Sequence, residues 1–207
     1  ETLLLENDKD LRYAREISKR YGIDDFLLIA FAPKSGELLD QVNLTTLERL
    51  RDSLSSLAAV ESVLTILDVP LLESPPVSYK QLSQNQIPTL ESPSIDKNLA
   101  KTELSESYFY RDLLVSRDLT TTAIIVNLKT DPAYSKLITA RNEFLDKKRQ
   151  GQLSPAEATQ YASIVSEIRT QQDSLNAKQH ENILAVRAIM DANRDNGQLF
   201  LGGISMI

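Results

Sequence analysis

The chain has 207 residues, no cysteine and a net charge of −6, so it is long enough for one sizeable core and carries an acidic excess. The missing thiols exclude disulfide frameworks, thiolate metal sites and cysteine nucleophiles, and the negative charge argues against a nucleic-acid partner. The longest wholly apolar run, residues 26–32, is far shorter than the roughly 20 residues that a membrane-spanning helix needs.

The first predicted elements are a helix and a strand. Residues 7–21 place apolar side chains among charges at helical spacing, and Gly22 is a natural C-terminal stop. Residues 26–31 form a continuous apolar run that ends before Pro33. Because both alternating sets of side chains in this run are apolar, we expect a central strand covered on both faces.

A helix and a second strand follow. From Asn43 onward a leucine recurs every three or four residues, which predicts a helix with one apolar stripe and with Asn43 as its N-cap. The same asparagine begins an Asn-Leu-Thr glycosylation sequon, but capping explains the residue without a glycan. Residues 60–69 alternate well enough to predict a strand, which Pro70 closes.

Residues 70–118 form a proline-rich connection. Five of the eight prolines fall between Pro70 and Pro93, so no regular element can run through that stretch, and we expect an extended path across the surface. Within the connection, residues 96–106 predict one short helix, and residues 107–118 predict a small edge strand that turns at Arg117-Asp118.

The last part of the chain combines two strands with a long helical stretch. Residues 119–129 are rich in β-branched side chains and predict a strand. Residues 134–196 predict an antiparallel helical hairpin, whose return helix has Ser154 as N-cap and Pro155 at its first position. Residues 198–207 predict the closing strand.

Together these elements predict an α+β fold, a ferredoxin-like split βαβ sandwich in which the first and third strands are central. We expect this domain to comprise residues 1–133 plus 180–207, with residues 134–179 inserted as a helical hairpin before the last helix and strand. The two most apolar strands are the first and the third, in agreement with that order.

Residue types that carry catalysis or metal binding are sparse. The only histidine, His180, lies on the polar part of a long predicted helix and lacks the partners that metal or acid–base work requires. The acids Glu6, Asp8 and Asp10 lack the glycine and distal glutamate of a calcium loop and are better interpreted as helix N-terminal acids. We therefore expect no metal, no cofactor and no catalytic residue.

The fold class itself raises one enzyme alternative. Acylphosphatases share the ferredoxin-like sandwich and use an arginine in the loop after the first strand and an asparagine on a later strand. Asn127 has the right type and place for that asparagine, but the loop at residues 32–40 contains no arginine. We therefore expect that the chain is not an enzyme.

Four motifs, in order, resemble a known family. They are YGIDDFL at residues 21–27, LERLRDSLSSLAAVESVLTILDVPLL at 47–72, LLVSRDLTTTAIIVNLK at 113–129, and VRAIMDAN leading into LFLGGISMI at 186–207. In this order they resemble the first large extracytoplasmic loop of resistance-nodulation-division (RND) superfamily exporters. The helical hairpin points to the hydrophobe or lipid-type (MMPL-like) branch, whereas Ile204 stands where relatives often have a proline.

The resemblance implies a porter domain on the periplasmic side of the bacterial inner membrane, between the first and second transmembrane helices of a proton-driven exporter. Such a domain lines the path of a hydrophobic or lipid-like substrate, contacts a companion porter domain of the same chain, and does no bond chemistry. The superfamily also includes homo-oligomers. We expect Tyr108, Phe109 and Tyr110 to form part of a groove or of the contact with the companion domain.

An alternative from another class remains open. A free-standing periplasmic or extracellular binding or scaffold module, using the helical hairpin as a coiled contact, needs no membrane helices nearby.

Overall fold

The computed structural model describes residues 26–84 and 87–203. The helix predicted at residues 7–21 and the last four residues of the predicted closing strand lie outside the described residues. The described elements are β1 Phe26–Pro33, α1 Gln41–Ser55, β2 Val60–Leu64, α2 Tyr79–Ser83, α3 Lys97–Glu106, β3 Thr122–Leu128, α4 Pro132–Arg149, α5 Pro155–Ala192 and β4 Gly197–Gly203.

The four strands form one antiparallel sheet in the order β2-β3-β1-β4. The two central strands are β1 and β3, as their apolar composition predicts. In the register, Ile29 of β1 lies opposite Ile124 of β3 on one side and Leu201 of β4 on the other. The α+β class expected from the sequence is confirmed, with helices packed on an antiparallel sheet.

The hydrophobic core lies on one face of this sheet. Leu27, Ile29 and Phe31 of β1 are fully buried and belong to one cluster with the leucine stripe of α1 and with the end of α5. From α1 and α5 the cluster takes Leu44, Leu47, Leu50, Leu54, Val186 and Met190, and from α3 it takes Ala100 and Leu104. Each fully buried side chain of this size contributes about 1.5–3 kcal/mol by removal from water, so this layer supplies most of the cohesion of the fold.

The prediction that β1 is covered on both faces is wrong for the described residues. Its alternate side chains point to the other face, where Leu28 is 37% exposed. A continuous apolar run has the same appearance whether its second face is buried or only lined with apolar side chains, and this explains the error.

Strand β2 is shorter than the predicted residues 60–69. It ends at Leu64 because the Asp68 carboxylate accepts hydrogen bonds from the backbone N and the hydroxyl of Thr65, at 2.9 and 2.8 Å, and closes a turn. Ile66 and Val69 are nevertheless buried. Their apolar character therefore serves a buried turn, although it extends the apparent alternation of a strand.

Helix α1 begins two residues before the predicted N-cap, Asn43. Asp40 occupies the cap position, and Asn43 is only 5% exposed inside the first turn. The Asn43 amide nitrogen donates to the carbonyls of Ser35 and Glu37, at 3.1 and 2.8 Å, and so ties the β1–α1 loop to the helix. Because this amide is buried and bonded, the sequon asparagine is not presented to solvent.

The connection at residues 70–118 contains more regular structure than predicted. Helix α3 begins at Lys97 with Asp96 as its cap, which confirms the short predicted helix, whereas the short helix α2 was not expected. The predicted edge strand at residues 107–118 is wrong. Isolated bridges from Val115 to Arg111 and Thr122 replace it, since turns dominate that stretch. The Ser74-Pro75 peptide bond is cis.

Helices α4 and α5 form the predicted antiparallel hairpin. The side chain of Ser154 caps α5 together with Glu157, and Pro155 takes the first helical position, both as predicted. Helix α5 continues without a break for 38 residues, so one rigid element joins the hairpin to the core layer.

Candidate functional site: the connection and its exposed tip

The aromatic side chains of interest follow directly after α3. Tyr108 and Phe109 are 86% and 80% exposed, and Leu113, four residues further on, is 68% exposed. Tyr110 behaves differently, because it is half-buried and its hydroxyl donates to the carbonyl of Pro70. The structure therefore separates the predicted trio into two outward side chains and one inward anchor. We refer to Tyr108, Phe109 and Leu113 as the exposed tip.

The backbone around the exposed tip is held by hydrogen bonds. The carbonyl of Ser107 accepts from the N–H groups of Tyr110 and Arg111, at 3.2 and 2.9 Å. The carbonyl of Tyr110 accepts from those of Leu114 and Val115, at 2.8 and 3.1 Å, and both of these side chains are buried. The tip thus presents apolar side chains from a base that is anchored in the core.

Charged side chains also fix the geometry of the loop. Arg117 donates from two guanidinium nitrogens to Asp112, with distances of 2.9–3.1 Å, and this bonding lowers the pKa of the Asp112 carboxyl. The backbone of Asp112 is left-handed, with φ of 64°. The Arg111 guanidinium lies 5.4 Å from the centre of the Tyr108 ring, within reach of a cation–π interaction.

The Glu103 carboxylate organises the first residues of the connection. It accepts from the backbone N–H groups of Leu72 and Glu73, at 2.6 and 3.0 Å, and from the hydroxyl of the fully buried Ser74, at 2.7 Å. Burial, with the Glu103 charge as a smaller cause, raises the pKa of the Tyr110 hydroxyl. Glu103 and Tyr110 therefore fasten the start of the connection to its end, and no pattern in the sequence predicts either contact.

A second polar centre joins α1 to the connection. The Arg51 guanidinium donates to Asp68 at 2.8 Å and forms an ion pair with Glu91 at 2.9 Å. Burial on its own would lower the pKa of Arg51, but its bonds to Glu91 and Asp68 outweigh that effect and raise it. Arg51 is therefore a permanently charged structural link.

Two cavities accompany these features. One, of about 550 Å³, lies between α1 and the connection, where Arg51, Glu48 and Lys97 make its wall polar. The other, of about 450 Å³, lies at the base of the hairpin between Leu128, Tyr134 and Leu175. In the wall of the first cavity, Arg51 already forms ion pairs with Asp68 and Glu91, and Lys97 donates to the side-chain oxygen of Gln41 at 3.1 Å.

The sheet face that turns away from the core is largely apolar. Leu64, Ile125, Leu28 and Gly202 lie opposite one another in a row across the four strands, and Ala30 and Phe200 continue this face in the next row. Phe200 is 62% exposed, and Leu28 and Leu64 are each 37% exposed. We refer to this surface as the open sheet face.

Neither residue type considered for catalysis forms a catalytic arrangement in the described residues: Asn127 has a structural partner, and His180 lies on the surface of α5. The side-chain amide of Asn127 donates to the hydroxyl of Ser62 at 2.8 Å, which joins β3 to β2. His180 is exposed on α5. In the described ranges, His, Asp and Glu side chains nowhere gather in a group of three or more that could hold a metal ion.

Over residues 26–84 and 87–203, every helix is too short or too polar to cross a membrane. No protein-family model matches the chain, and no curated protein matches it either.

Proposed function

We propose that this chain is the first periplasmic porter domain of a proton-driven RND-type exporter, of the branch that moves hydrophobic or lipid-like compounds. The observation that carries the proposal is the exposed tip. Large apolar side chains stand in solvent on a base that the core holds in place. Exposed apolar groups on a fixed support are typical of contact surfaces.

Two further features support the same function. The order β2-β3-β1-β4, with β1 and β3 central, fits a ferredoxin-like split βαβ sandwich. The described residues of the four motifs also fall on elements of this fold. Residues 26–27 begin β1, residues 47–72 contain the second half of α1 and all of β2, residues 113–129 contain β3, and residues 186–203 contain the end of α5 and β4.

In this function the domain binds and guides substrate without bond chemistry. Tyr108 and Phe109 contact the companion porter domain of the same chain or border the substrate path between the two domains, and Tyr110 positions them through its bond to Pro70. The membrane is reached through flanking transmembrane helices, on the periplasmic side of the bacterial inner membrane, and homo-oligomers of the full exporter are compatible with this arrangement.

The test is a pair of substitutions in the full-length protein, Tyr108→Ser and Phe109→Ser together. Because both side chains are exposed, the fold should tolerate the change, and we expect transport of a hydrophobic dye into proteoliposomes to fall about tenfold, equivalent to ~1.4 kcal/mol of lost contact energy. Val42→Ser, which removes a 73% exposed side chain from α1, is the matched control and should leave transport unchanged. Normal transport and normal assembly of the double variant would overturn the assignment of the tip.

One observation favours the alternative of a binding or scaffold module built on the hairpin. No residue of α4 is fully buried, and its apolar side chains Leu137 and Phe144 are half-buried. A partner helix would complete their burial. If the alternative is right, Leu137→Ser with Phe144→Ser should abolish self-association or partner capture, whereas the porter function predicts little effect on the oligomeric state of the domain.

A further inference from the structure

The junction between α5 and β4 holds the only Asn-Gly pair of the sequence, Asn196-Gly197. Such a pair has a chemistry of its own, because glycine has no Cβ atom to hinder attack of its backbone nitrogen on the amide carbon of the preceding side chain. Asparagine is accordingly one of the thermolabile residue types in proteins. The surroundings of this pair in the fold decide whether the reaction proceeds.

Close packing explains why residue 197 is glycine. Gly197 is the first residue of β4 and lies opposite Pro33 of β1. A Cβ atom placed on it would stand 2.8 Å from the carbonyl oxygen of Ala32 and would overlap the ring of Phe31, which is fully buried in the core. Any other residue here would push β4 away from β1, so the fold requires the glycine that makes the pair reactive.

The backbone N–H of Gly197 is not used in the ladder between β1 and β4. Pro33 has no N–H, and the backbone N–H of the next residue, Lys34, donates to the Asn196 carbonyl at 3.3 Å. A ladder bond that flanks the pair in this way makes Pro33 and Gly197 a non-hydrogen-bonded pair, in which the N–H of Gly197 points away from β1. Because β4 is the outermost of the described strands on that side, the Gly197 nitrogen faces the edge of the sheet.

The side chain of Asn196 is free to turn towards that nitrogen. Residue 196 is half-buried, and within residues 26–84 and 87–203 its side-chain amide has no hydrogen-bond partner. The other asparagine of the junction, Asn193, is only 7% exposed, and its amide nitrogen donates to the Ile189 carbonyl at 2.8 Å. The structure therefore restrains Asn193, which precedes an arginine, and leaves unrestrained the asparagine that precedes glycine.

We propose that Asn196 is a site of spontaneous deamidation, with water as the only co-reactant. The Gly197 nitrogen attacks the Cγ atom of Asn196, the bond from Cγ to the side-chain nitrogen breaks, and that nitrogen leaves as ammonia with the proton of the former N–H. The product is a cyclic succinimide, which water then opens. Opening at Cγ gives aspartate, whereas opening at the main-chain carbonyl carbon gives isoaspartate, in which the chain continues through Cγ.

The isoaspartate product changes the start of β4. It adds one methylene group to the main chain between residues 196 and 197, and it displaces the carbonyl that accepts from Lys34. Because Gly197 lies directly against Phe31 and Ala32, the added length disturbs the packing of β4 on β1. The inference does not rest on the proposed function, since the reaction needs only this junction and water.

Ageing of the whole chain tests the site. The folded protein is kept in mildly alkaline buffer at physiological temperature, and peptide mapping by mass spectrometry follows the gain of about 1 Da that deamidation causes at each asparagine. We expect residue 196 to convert at least about tenfold faster than Asn193 or Asn127, and to give both aspartate and isoaspartate peptides.

Asn196→Gln is the matched control, because the longer glutamine side chain must close a larger ring and does so far more slowly. Thermal unfolding of fresh and aged samples measures the consequence for the fold. The aged parent chain should melt at least about 2 °C lower than the fresh one, whereas ageing should leave the melting temperature of the Asn196→Gln variant unchanged.

Two results would overturn the proposal. Conversion of residue 196 no faster than that of Asn193 in the folded protein would exclude the site, and a parallel incubation in urea would then show whether the fold suppresses the reaction. Extensive formation of isoaspartate with an unchanged melting temperature would show that the start of β4 does not depend on this junction. Neither result depends on transport, so a failure here leaves the test of the porter function untouched.

Discussion

The hydroxyl of Ser74 donates to the Glu103 carboxylate at 2.7 Å, across 29 residues of sequence. The same carboxylate accepts two backbone N–H groups from the neighbouring residues Leu72 and Glu73. One acidic side chain of α3 therefore fixes the start of the proline-rich connection. The loop that carries the exposed tip begins only one turn of helix further along the chain.

Glu103→Ala should destabilise the fold by about 2 kcal/mol, because it removes the acceptor of three hydrogen bonds and leaves the buried Ser74 hydroxyl without it. Urea unfolding followed by circular dichroism measures the change in the free energy of unfolding. Glu106→Ala, at an exposed position on the same helix, is the control and should lie within about 0.5 kcal/mol of the parent chain. Equal midpoints for the two variants would contradict the structural role of Glu103.

Arg51→Ala should also destabilise the chain by about 2 kcal/mol, because it removes the ion pairs of Asp68 and Glu91 with a guanidinium that is largely buried. The exposed Arg49 of the same helix provides the matched substitution, Arg49→Ala, with an expected effect below about 0.5 kcal/mol. Thermal unfolding at fixed pH compares the melting temperatures of the Arg51→Ala and Arg49→Ala variants. A melting temperature of the Arg51 variant equal to that of the Arg49 variant would exclude Arg51 as a link between α1 and the connection.

Leu47→Ala should cost about 2–5 kcal/mol, since Leu47 is fully buried in the core layer and its truncation leaves a cavity. Val42→Ala on the same helix removes a side chain that is 73% exposed and should change stability very little. Urea denaturation of the two variants, analysed with the same dependence of the free energy of unfolding on denaturant, gives the difference in stability. Similar costs for the two variants would mean that α1 packs through a different face.

The hairpin tip should show an acid-sensitive ion pair. The hydrogen bond from Lys147, with those from Ser154, lowers the pKa of Glu157 from 4.5 to about 2. A lowered carboxyl pKa contributes stability that is complete above pH 4.5 and is lost as the pH falls towards 2. We expect Lys147→Met to raise the pKa of Glu157 towards its ordinary value, as measured by NMR titration of the carboxyl carbon.

Lys148→Met is the control for that titration. Lys148 lies on the next position of α4, 5.6 Å from the ring of Tyr161, and is not a partner of Glu157. Its replacement should leave the lowered pKa of Glu157 unchanged. An unchanged Glu157 pKa in the Lys147 variant would show that the Lys147–Glu157 pair does not persist in solution.

Features that depend on neighbours in sequence could be predicted. The cap Ser154 and the first-turn Pro155 signal their helix within a few residues, and the structure confirms both, as it confirms the short helix predicted over residues 96–106. The apolar content of β1 and β3 predicted their central positions, because central strands lose most contact with water. Sequence patterns at this range report local hydrogen bonding and burial well.

Features that depend on distant partners could not be predicted. Glu103 meets Ser74 only after the connection folds back, and Tyr110 turns inward because the Pro70 carbonyl, 40 residues earlier, lies within its reach. The end of β2 and the burial of Asn43 follow from side chains that bond to loop backbone, which apolar periodicity does not reveal. The sequence therefore predicted Tyr108, Phe109 and Tyr110 as one group, but neither the inward orientation of Tyr110 nor the role of Glu103 could be predicted from it.

A porter domain between two transmembrane helices requires an apolar span on each side, and the coding sequence that flanks this chain in its gene shows directly whether both spans exist. Reading about 60 codons on each side and scoring them for apolar runs of about 20 residues is sufficient. We expect one such run shortly before Glu1 and another shortly after Ile207. Polar flanks on both sides, with a secretory signal peptide upstream, would contradict it and favour the free-standing module.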